Sequence, residues 1–111
     1  MDVVEEYATC IKQIINEYAQ FKPSYGDINV ETVFDEARHH YEMVYAGWEN
    51  GIRIHGSVIH VDIIGGKVWI QHDGTESGIA PELVACGIPK DKIVLGFRPP
   101  EIRKYTEYAE G

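Results

Sequence analysis

Histidine and aspartate side chains in the middle of the chain have the types and the spacing that could bind a metal ion or move a proton. His60 and Asp62 are two positions apart, and on one strand their side chains would share a face with Cα atoms roughly 7 Å apart. His39 lies across from Asp62 in the simplest pairing of the strands. Imidazole and carboxylate groups in such contact can share a cation or a proton.

The same residues have a plain structural interpretation. A histidine hydrogen-bonded to an aspartate would only satisfy two polar groups of a folded protein. The sequence offers no further strong ligand and no defined nucleophile for this site. We therefore predict no catalytic residue, no metal site and no cofactor. A small metal- or acid/base-dependent enzyme that uses His60 and Asp62 is kept as an alternative.

Two hairpin turns fix where these side chains lie. Gly65-Gly66 separates two runs that are rich in β-branched and aromatic residues, and Asn50-Gly51 separates an earlier pair of runs. Both dipeptides tolerate the positive φ angles of a hairpin turn, of type I′ at Asn50-Gly51 and of type I′ or II′ at Gly65-Gly66. Counting outward from Gly65-Gly66 places Val61 opposite Ile70, on an aliphatic face that indicates a core.

The opposite face of the sheet is predicted to be mixed aromatic and polar. Counting from the two turns pairs Tyr41 with His60, Met43 with Val58, and His60 with Gln71. Large aromatic side chains beside few charges are typical of the cores of protein-protein interfaces. The predicted partner-binding face consists of Tyr41, Met43, Tyr45, Val58, His60, Asp62, Trp69 and Gln71.

This prediction leaves one alternative and one conflict. The C-terminal helix and tail could cover the same face as ordinary core. In this register His40 and Glu42 would fall on the aliphatic face, which conflicts with burial and suggests a bulge in the strand pairing. An aromatic face left exposed would promote aggregation, so we expect the protein to be a homo-oligomer, a dimer or higher.

A helix and a meander of strands position these side chains. Apolar residues recur every three or four positions between positions 4 and 18, the period of an amphipathic helix that Pro23 ends. Alternating residues at 28 to 34 predict a first strand before the two hairpins. Pro81 begins a short helix, a short strand or extended segment follows at Ile93 to Phe97, and the arm EIRKYTEYAEG ends the chain. We predict one α+β domain over residues 1–111, with the N-terminal helix packed on a four-stranded antiparallel meander sheet.

The charge of the chain argues against tight binding to nucleic acid. Its 18 acidic residues outnumber its 10 basic ones and give a formal net charge of −8, whereas neutralisation of phosphates drives most nucleic-acid affinity. Direct DNA binding remains an alternative at the C-terminal third, which holds the best placed basic residues. The possible DNA contacts are Lys90, Lys92, Arg98, Arg103 and Lys104.

The two cysteines indicate the compartment. Cys10 and Cys86 lie in the two predicted helices, and the chain does not open with the charged and apolar regions of a signal peptide. We expect reduced thiols in a cytoplasmic protein. No run approaches the roughly 20 apolar residues of a membrane span, so we expect no membrane association.

Four motifs together resemble the XisI family, which comprises small cyanobacterial proteins described as controlling factors for excision of a DNA element that interrupts the fdxN gene. The motifs are PSYG at 23–26, the FDxxRxHY spacing at 34–41, the hairpin GSVIHVDIIGGKVWIQHDGTE at 56–76 and PKDKIVLGFRPP at 89–100. The resemblance implies a part in this excision, beside a companion XisH-like protein and a separate site-specific recombinase.

The sequence itself does not suit a recombinase. Such an enzyme needs a hydroxyl nucleophile surrounded by arginines, and the arginines here are dispersed around no obvious reactive serine or tyrosine. We therefore predict an accessory or regulatory protein that binds protein partners and catalyses nothing itself. DNA contact is expected to be indirect.

Overall fold

One long helix packs against a five-stranded sheet in the computed structural model, which describes residues 2–111. The strands lie in the order in which they occur along the chain. The helices are α1 (Val3–Ala19), α2 (Ala80–Ala85) and α3 (Pro100–Arg103), and a short 3-10 turn covers Lys90–Lys92. The strands are β1 (Asp27–Asp35), β2 (His40–Glu49), β3 (Ile52–Ile64), β4 (Lys67–Asp73) and β5 (Ile93–Leu95).

This architecture confirms the predicted α+β class, with an N-terminal helix, a meander and short C-terminal helices. The first four strands pair in antiparallel fashion as expected. The difference is at one edge, where β5 pairs with β4 in parallel. The sheet is therefore mixed and has five strands, because the segment between α2 and α3 returns to its edge.

Helix α1 follows from its sequence pattern. The Asp2 side chain accepts a hydrogen bond of 2.8 Å from the Glu5 amide and so satisfies a free amide at the helix start. One stripe of α1 is buried on the sheet, where residues such as Ile11 and Ile15 are at most 1% exposed. Burial of this stripe against the sheet supplies most of the stability of the helix.

Both predicted hairpin turns are present. Asn50 and Gly51 have φ angles of 48° and 75°, and Gly65 and Gly66 have 57° and 79°, as type I′ turns require. Near the turns the register is as predicted, with Trp48 across from Arg53. The register changes only farther along the strands.

A β-bulge between β2 and β3 corrects the predicted pairing. Val44 pairs with Ser57 as expected, but Met43 then pairs with Ile59, so that Val58 is an extra residue on β3. A single extra residue exchanges the faces of all side chains beyond it. Tyr41 consequently pairs with Val61, and the predicted pairing of Tyr41 with His60 is wrong.

The bulge moves half of the predicted partner-binding face into the core. Tyr41 and Met43 are 0% and 2% exposed and lie in the cluster that packs beneath α1. Tyr45 and Val58 are half-buried against the same cluster. Placing these four side chains on the face away from the aliphatic residues was therefore wrong. The conflict at His40 and Glu42 was the signal of this bulge.

A second bulge lies between β3 and β4. Val61 pairs with Ile70 as predicted, but His60 pairs with His72 and leaves Gln71 as the extra residue. The predicted pairing of His60 with Gln71 is wrong for this reason. Asp62 lies before the bulge and keeps Trp69 as its partner.

The two cysteines form a disulfide bond in the structure, with Cα atoms 6.0 Å apart, so the prediction of reduced thiols is wrong. Helices α1 and α2 pack side by side on one face of the sheet, and the Tyr18 hydroxyl of α1 donates a hydrogen bond to Glu82 of α2. This packing brings Cys86, at the end of α2, against Cys10. Residues 76 positions apart give no sequence signal of such proximity.

Among residues 2–111, no helix has the length and apolar character needed to cross a lipid bilayer.

Candidate functional site

The sheet face opposite α1 and α2, called here the outer face, carries a buried carboxylate. Asp62 on β3 is 5% exposed and lies between His40 on β2 and Trp69 on β4. Its neighbours Val61 and Ile63 point into the core beneath α1, as strand alternation requires. A carboxylate at such a place must be compensated by hydrogen bonds or by charge. The outer face comprises His40, Glu42, His60, Asp62, Trp69 and Gln71.

Polar groups from three strands converge on this carboxylate. Nδ1 of His40 and Nε2 of His60 each lie 2.8 Å from Oδ1 of Asp62. Gln71 donates a hydrogen bond of 3.2 Å from Nε2 to Oδ2. On its other side the His60 ring faces Glu42, with Nδ1 3.8 Å from Oε1. These five residues are called the polar cluster.

The structure brings His60 and Asp62 together as the sequence predicted, but it replaces His39 by His40. The bulge at Val58 pairs His40 with Asp62. His39 instead turns toward the α1 side, where its Nδ1 lies 2.9 Å from the Tyr41 hydroxyl. There it lines a groove of about 480 Å³ beside the start of α1. The prediction that His39 lies across from Asp62 is therefore wrong.

The donor atoms of the polar cluster form a set that suits a metal ion. One atom each from His40, His60 and Asp62 lie within 4.8 Å of one another. Two imidazoles with one carboxylate are a common ligand set for zinc and related transition metals. Without an ion, the same atoms form a closed hydrogen-bonded group in which the carboxylate is satisfied.

Trp69, beside the polar cluster on the outer face, is covered in part by the C-terminal arm. The guanidinium of Arg103 lies 5.1 Å from the centre of the indole ring, a cation-π contact. Val94 of β5 pairs with Trp69 and is 0% exposed. The arm returns to the sheet edge, where the Ala109 amide donates to the Ile93 carbonyl at 2.8 Å. The alternative in which the tail covers the face thus holds for the Trp69 end only.

Two of the five predicted DNA contacts have intramolecular roles. Arg103 donates to the backbone carbonyls of Leu95 and Arg98 at 3.2 and 3.0 Å and so holds the arm together. Lys90 pairs with Glu107 at 2.5 Å, and the hydrogen bond to that carboxylate raises the pKa of Lys90.

The other three basic residues, Lys92, Arg98 and Lys104, are exposed and form no ion pair with any residue from 2 to 111. The side chains of Arg98 and Lys104 lie over the rings of Phe97 and Tyr105, at 5.2 Å from each ring centre. Three of the five predicted basic residues are therefore free to meet phosphates.

Comparison with known proteins gives concordant results for the sequence and for the fold. A family model described as XisI protein matches residues 1–110. A crystal structure of a XisI-like protein from Anabaena variabilis ATCC 29413 superposes with a TM-score of 0.89 at 38% identity, over 97% of this chain and 98% of that one.

A second crystal structure, of the fdxN element excision controlling factor XisI from Anabaena variabilis ATCC 29413, gives a TM-score of 0.87 at 32% identity. It covers 99% of this chain and 100% of that one. Among proteins with a curated functional description, none matches the sequence.

Proposed function

The chain belongs to the XisI family, and we propose that it is an accessory protein in the controlled excision of a DNA element, which acts by binding protein partners and has no catalysis of its own. The similarity that carries this proposal is to the fdxN element excision controlling factor XisI, at 32% identity along nearly the whole of both chains. A controlling factor needs binding surfaces, and the strand chemistry belongs to a separate recombinase.

The charge distribution supports a protein partner over DNA. The formal net charge is −8, and Lys90 and Arg103 are held by Glu107 and by backbone carbonyls. DNA affinity scales with the number of phosphates that free cations neutralise. Three exposed cations on an acidic protein provide little of that free energy.

We place the partner surface on the outer face together with the C-terminal arm. Arg103 connects the two by its contact with Trp69. The arm exposes large side chains, with Tyr105 78%, Ile102 45% and Phe97 43% accessible, and aromatic anchors supply much of the free energy of binding at interfaces. The proposed partners are an XisH-like companion protein, a second copy of this chain and, through them, a site-specific recombinase in the cytoplasm.

Binding to the purified XisH-like protein, measured by calorimetry, tests this proposal. Tyr105→Ala is the variant and Trp48→Ala the matched control, since Trp48 is a 53% exposed aromatic on β2, toward the opposite edge of the sheet. We expect Tyr105→Ala to weaken binding by at least about tenfold, the loss of one moderate hot spot, and Trp48→Ala to leave it unchanged.

If Trp48→Ala weakens binding and Tyr105→Ala does not, the partner surface lies on the β2–β3 hairpin instead. If the wild-type protein binds neither the XisH-like protein nor a second copy of itself, the proposal is contradicted.

Direct DNA binding is the second candidate function, because Arg98 and Lys104 lie beside exposed aromatic rings on which bases could stack. Direct binding would show a DNA affinity that falls steeply as the salt concentration rises. The triple variant Lys92→Ala/Arg98→Ala/Lys104→Ala should then bind DNA more weakly and with a shallower salt dependence. Equal binding by variant and wild type would exclude this part of the surface.

A further inference from the structure

The sequence alone predicted no metal site, but it missed His40; with His40 in place, we propose that the polar cluster binds one divalent transition-metal ion, with Zn²⁺ the favoured ion, through Nδ1 of His40, Nε2 of His60 and Oδ1 of Asp62. This inference concerns the outer face alone and does not depend on the role in excision. The three atoms lie within 4.8 Å of one another, and they come from two different strands that the bulge at Val58 brings into register.

The geometry is close to that of a zinc site. Each imidazole nitrogen lies 2.8 Å from the carboxylate oxygen. Ligand atoms around a tetrahedral Zn²⁺ with bonds of about 2.0–2.1 Å are about 3.3 Å apart. Each of the two nitrogen-oxygen distances therefore has to open by about half an ångström, and the two nitrogens, which lie within 4.8 Å of each other, have to approach by up to about 1.5 Å. Rotation of two exposed or half-exposed rings can supply both changes without moving the strands.

One outer residue already orients a ligand, and a second lies where it could. A histidine that binds zinc usually donates its other ring N–H to a carboxylate or carbonyl, and Nδ1 of His60 faces Oε1 of Glu42 at 3.8 Å. Oδ2 of Asp62 accepts the hydrogen bond from Gln71, which leaves Oδ1 for the ion. Gln71 thus acts as a positioning residue in this site, and Glu42 needs to approach His60 by less than an ångström to do the same.

Burial leaves one side of the site open. The Asp62 side chain is 8% exposed, that of His60 32% and that of His40 51%. Three protein ligands on one side of an ion leave a fourth position that water or an incoming group can fill. Nitrogen ligands without a thiolate select zinc, copper, nickel or iron over Ca²⁺ and Mg²⁺, which prefer all-oxygen sites.

The experiment uses the full chain without a polyhistidine tag. Zn²⁺ binding is measured by calorimetry, and Co²⁺ serves as a spectroscopic probe of the same site through its visible absorption. We expect one ion per chain. His40→Ala removes an exposed ligand and should lower the affinity at least about tenfold, as loss of one metal-site group does, whereas His55→Ala, at an exposed histidine nearer the β2–β3 turn, should leave it unchanged.

Two further variants make the result decisive. Cys10→Ser/Cys86→Ser must retain the ion, which excludes the two sulfur atoms as ligands. Gln71→Ala should weaken binding less than His40→Ala, because it only orients the carboxylate. The proposal is overturned if the wild type shows no binding up to about 1 mM metal, the level of a free energy near −4 kcal/mol, or if His40→Ala and His55→Ala bind alike.

Discussion

The two faces of the sheet are closed by different interactions, although the same strands build both. The α1 face buries apolar side chains such as Ile15, Ile59 and Val61, each 0% exposed, and is stabilised by removal of apolar area from water, at roughly 25 cal/mol per Å². The outer face buries one carboxylate, Asp62, and closes around it with contacts from His40, His60 and Gln71.

The two faces depend to different degrees on how the strands pair. Apolar burial is not directional, so the α1 face needs only the correct parity of each strand. The outer face needs side chains of β2, β3 and β4 to meet at one point, and the bulge at Val58 sets the necessary register between β2 and β3. Bulges of this kind commonly re-aim side chains at functional sites.

The largest effect is expected on the α1 face, for Tyr41→Ala. Tyr41 is fully buried, and truncation of a buried aromatic side chain costs about 3–5 kcal/mol because it leaves a cavity. Unfolding by urea measures the loss. Tyr105→Ala makes the same chemical change at a 78% exposed position and should alter stability by less than about 0.5 kcal/mol. A fully stable Tyr41→Ala protein would place Tyr41 back on the outer face.

A smaller effect is expected on the outer face, for Asp62→Ala. The change leaves the His40, His60 and Gln71 side chains without their shared acceptor, and an unsatisfied buried donor costs about 1–3 kcal/mol. We expect the lower part of this range, because water reaches the His40 and His60 side chains, which are 51% and 32% exposed. Asp91→Ala, the same change at an exposed site, is the control for chemical unfolding and should be neutral. If Asp62→Ala costs as much as Tyr41→Ala, the outer face is as important for folding as the α1 face.

Sequence patterns predicted the elements and the α1 face but only part of the outer face. The period of the apolar residues predicted helix α1. The turn residues predicted both hairpins and the pairing of Val61 with Ile70. Both are local signals. The contacts of His40 depend on where Val58 bulges, and a bulge is decided by packing across strands. The only trace in the sequence was the misplaced pair His40 and Glu42.

The disulfide and the place of β5 in the sheet could not be predicted for a similar reason, although the strand at Ile93–Leu95 itself was predicted. Cys10 and Cys86 meet because α1 and α2 pack on the same sheet face, and β5 pairs with β4 because the chain returns to that edge. Both are contacts between residues that are distant in the chain, set by tertiary packing and not by local propensity. The same holds for Arg103, whose contact with Trp69 needs the folded arm.

The smallest effect is expected for Tyr18→Phe, which tests whether the α1 face also depends on a polar contact. The Tyr18 hydroxyl donates to Glu82 and joins α1 to α2, and this hydrogen bond, followed by burial, raises the pKa of Tyr18 from 10.0 to about 12. Tyr18→Phe removes the contact and should cost about 0.5–1.5 kcal/mol at neutral pH, the net contribution of one hydrogen bond, or less because water screens this partly exposed site.

The pH dependence identifies the contact. Below pH 10 the phenol is protonated in the folded and in the unfolded chain, so the hydrogen bond contributes in full. Between pH 10 and about 12 the unfolded chain loses the proton first, so stability falls as the pH rises. Urea unfolding across this range should show a shallower decline for Tyr18→Phe than for the wild type. Parallel declines would mean that the hydroxyl contributes nothing, and that apolar packing and the Cys10–Cys86 bond alone hold α2 to α1.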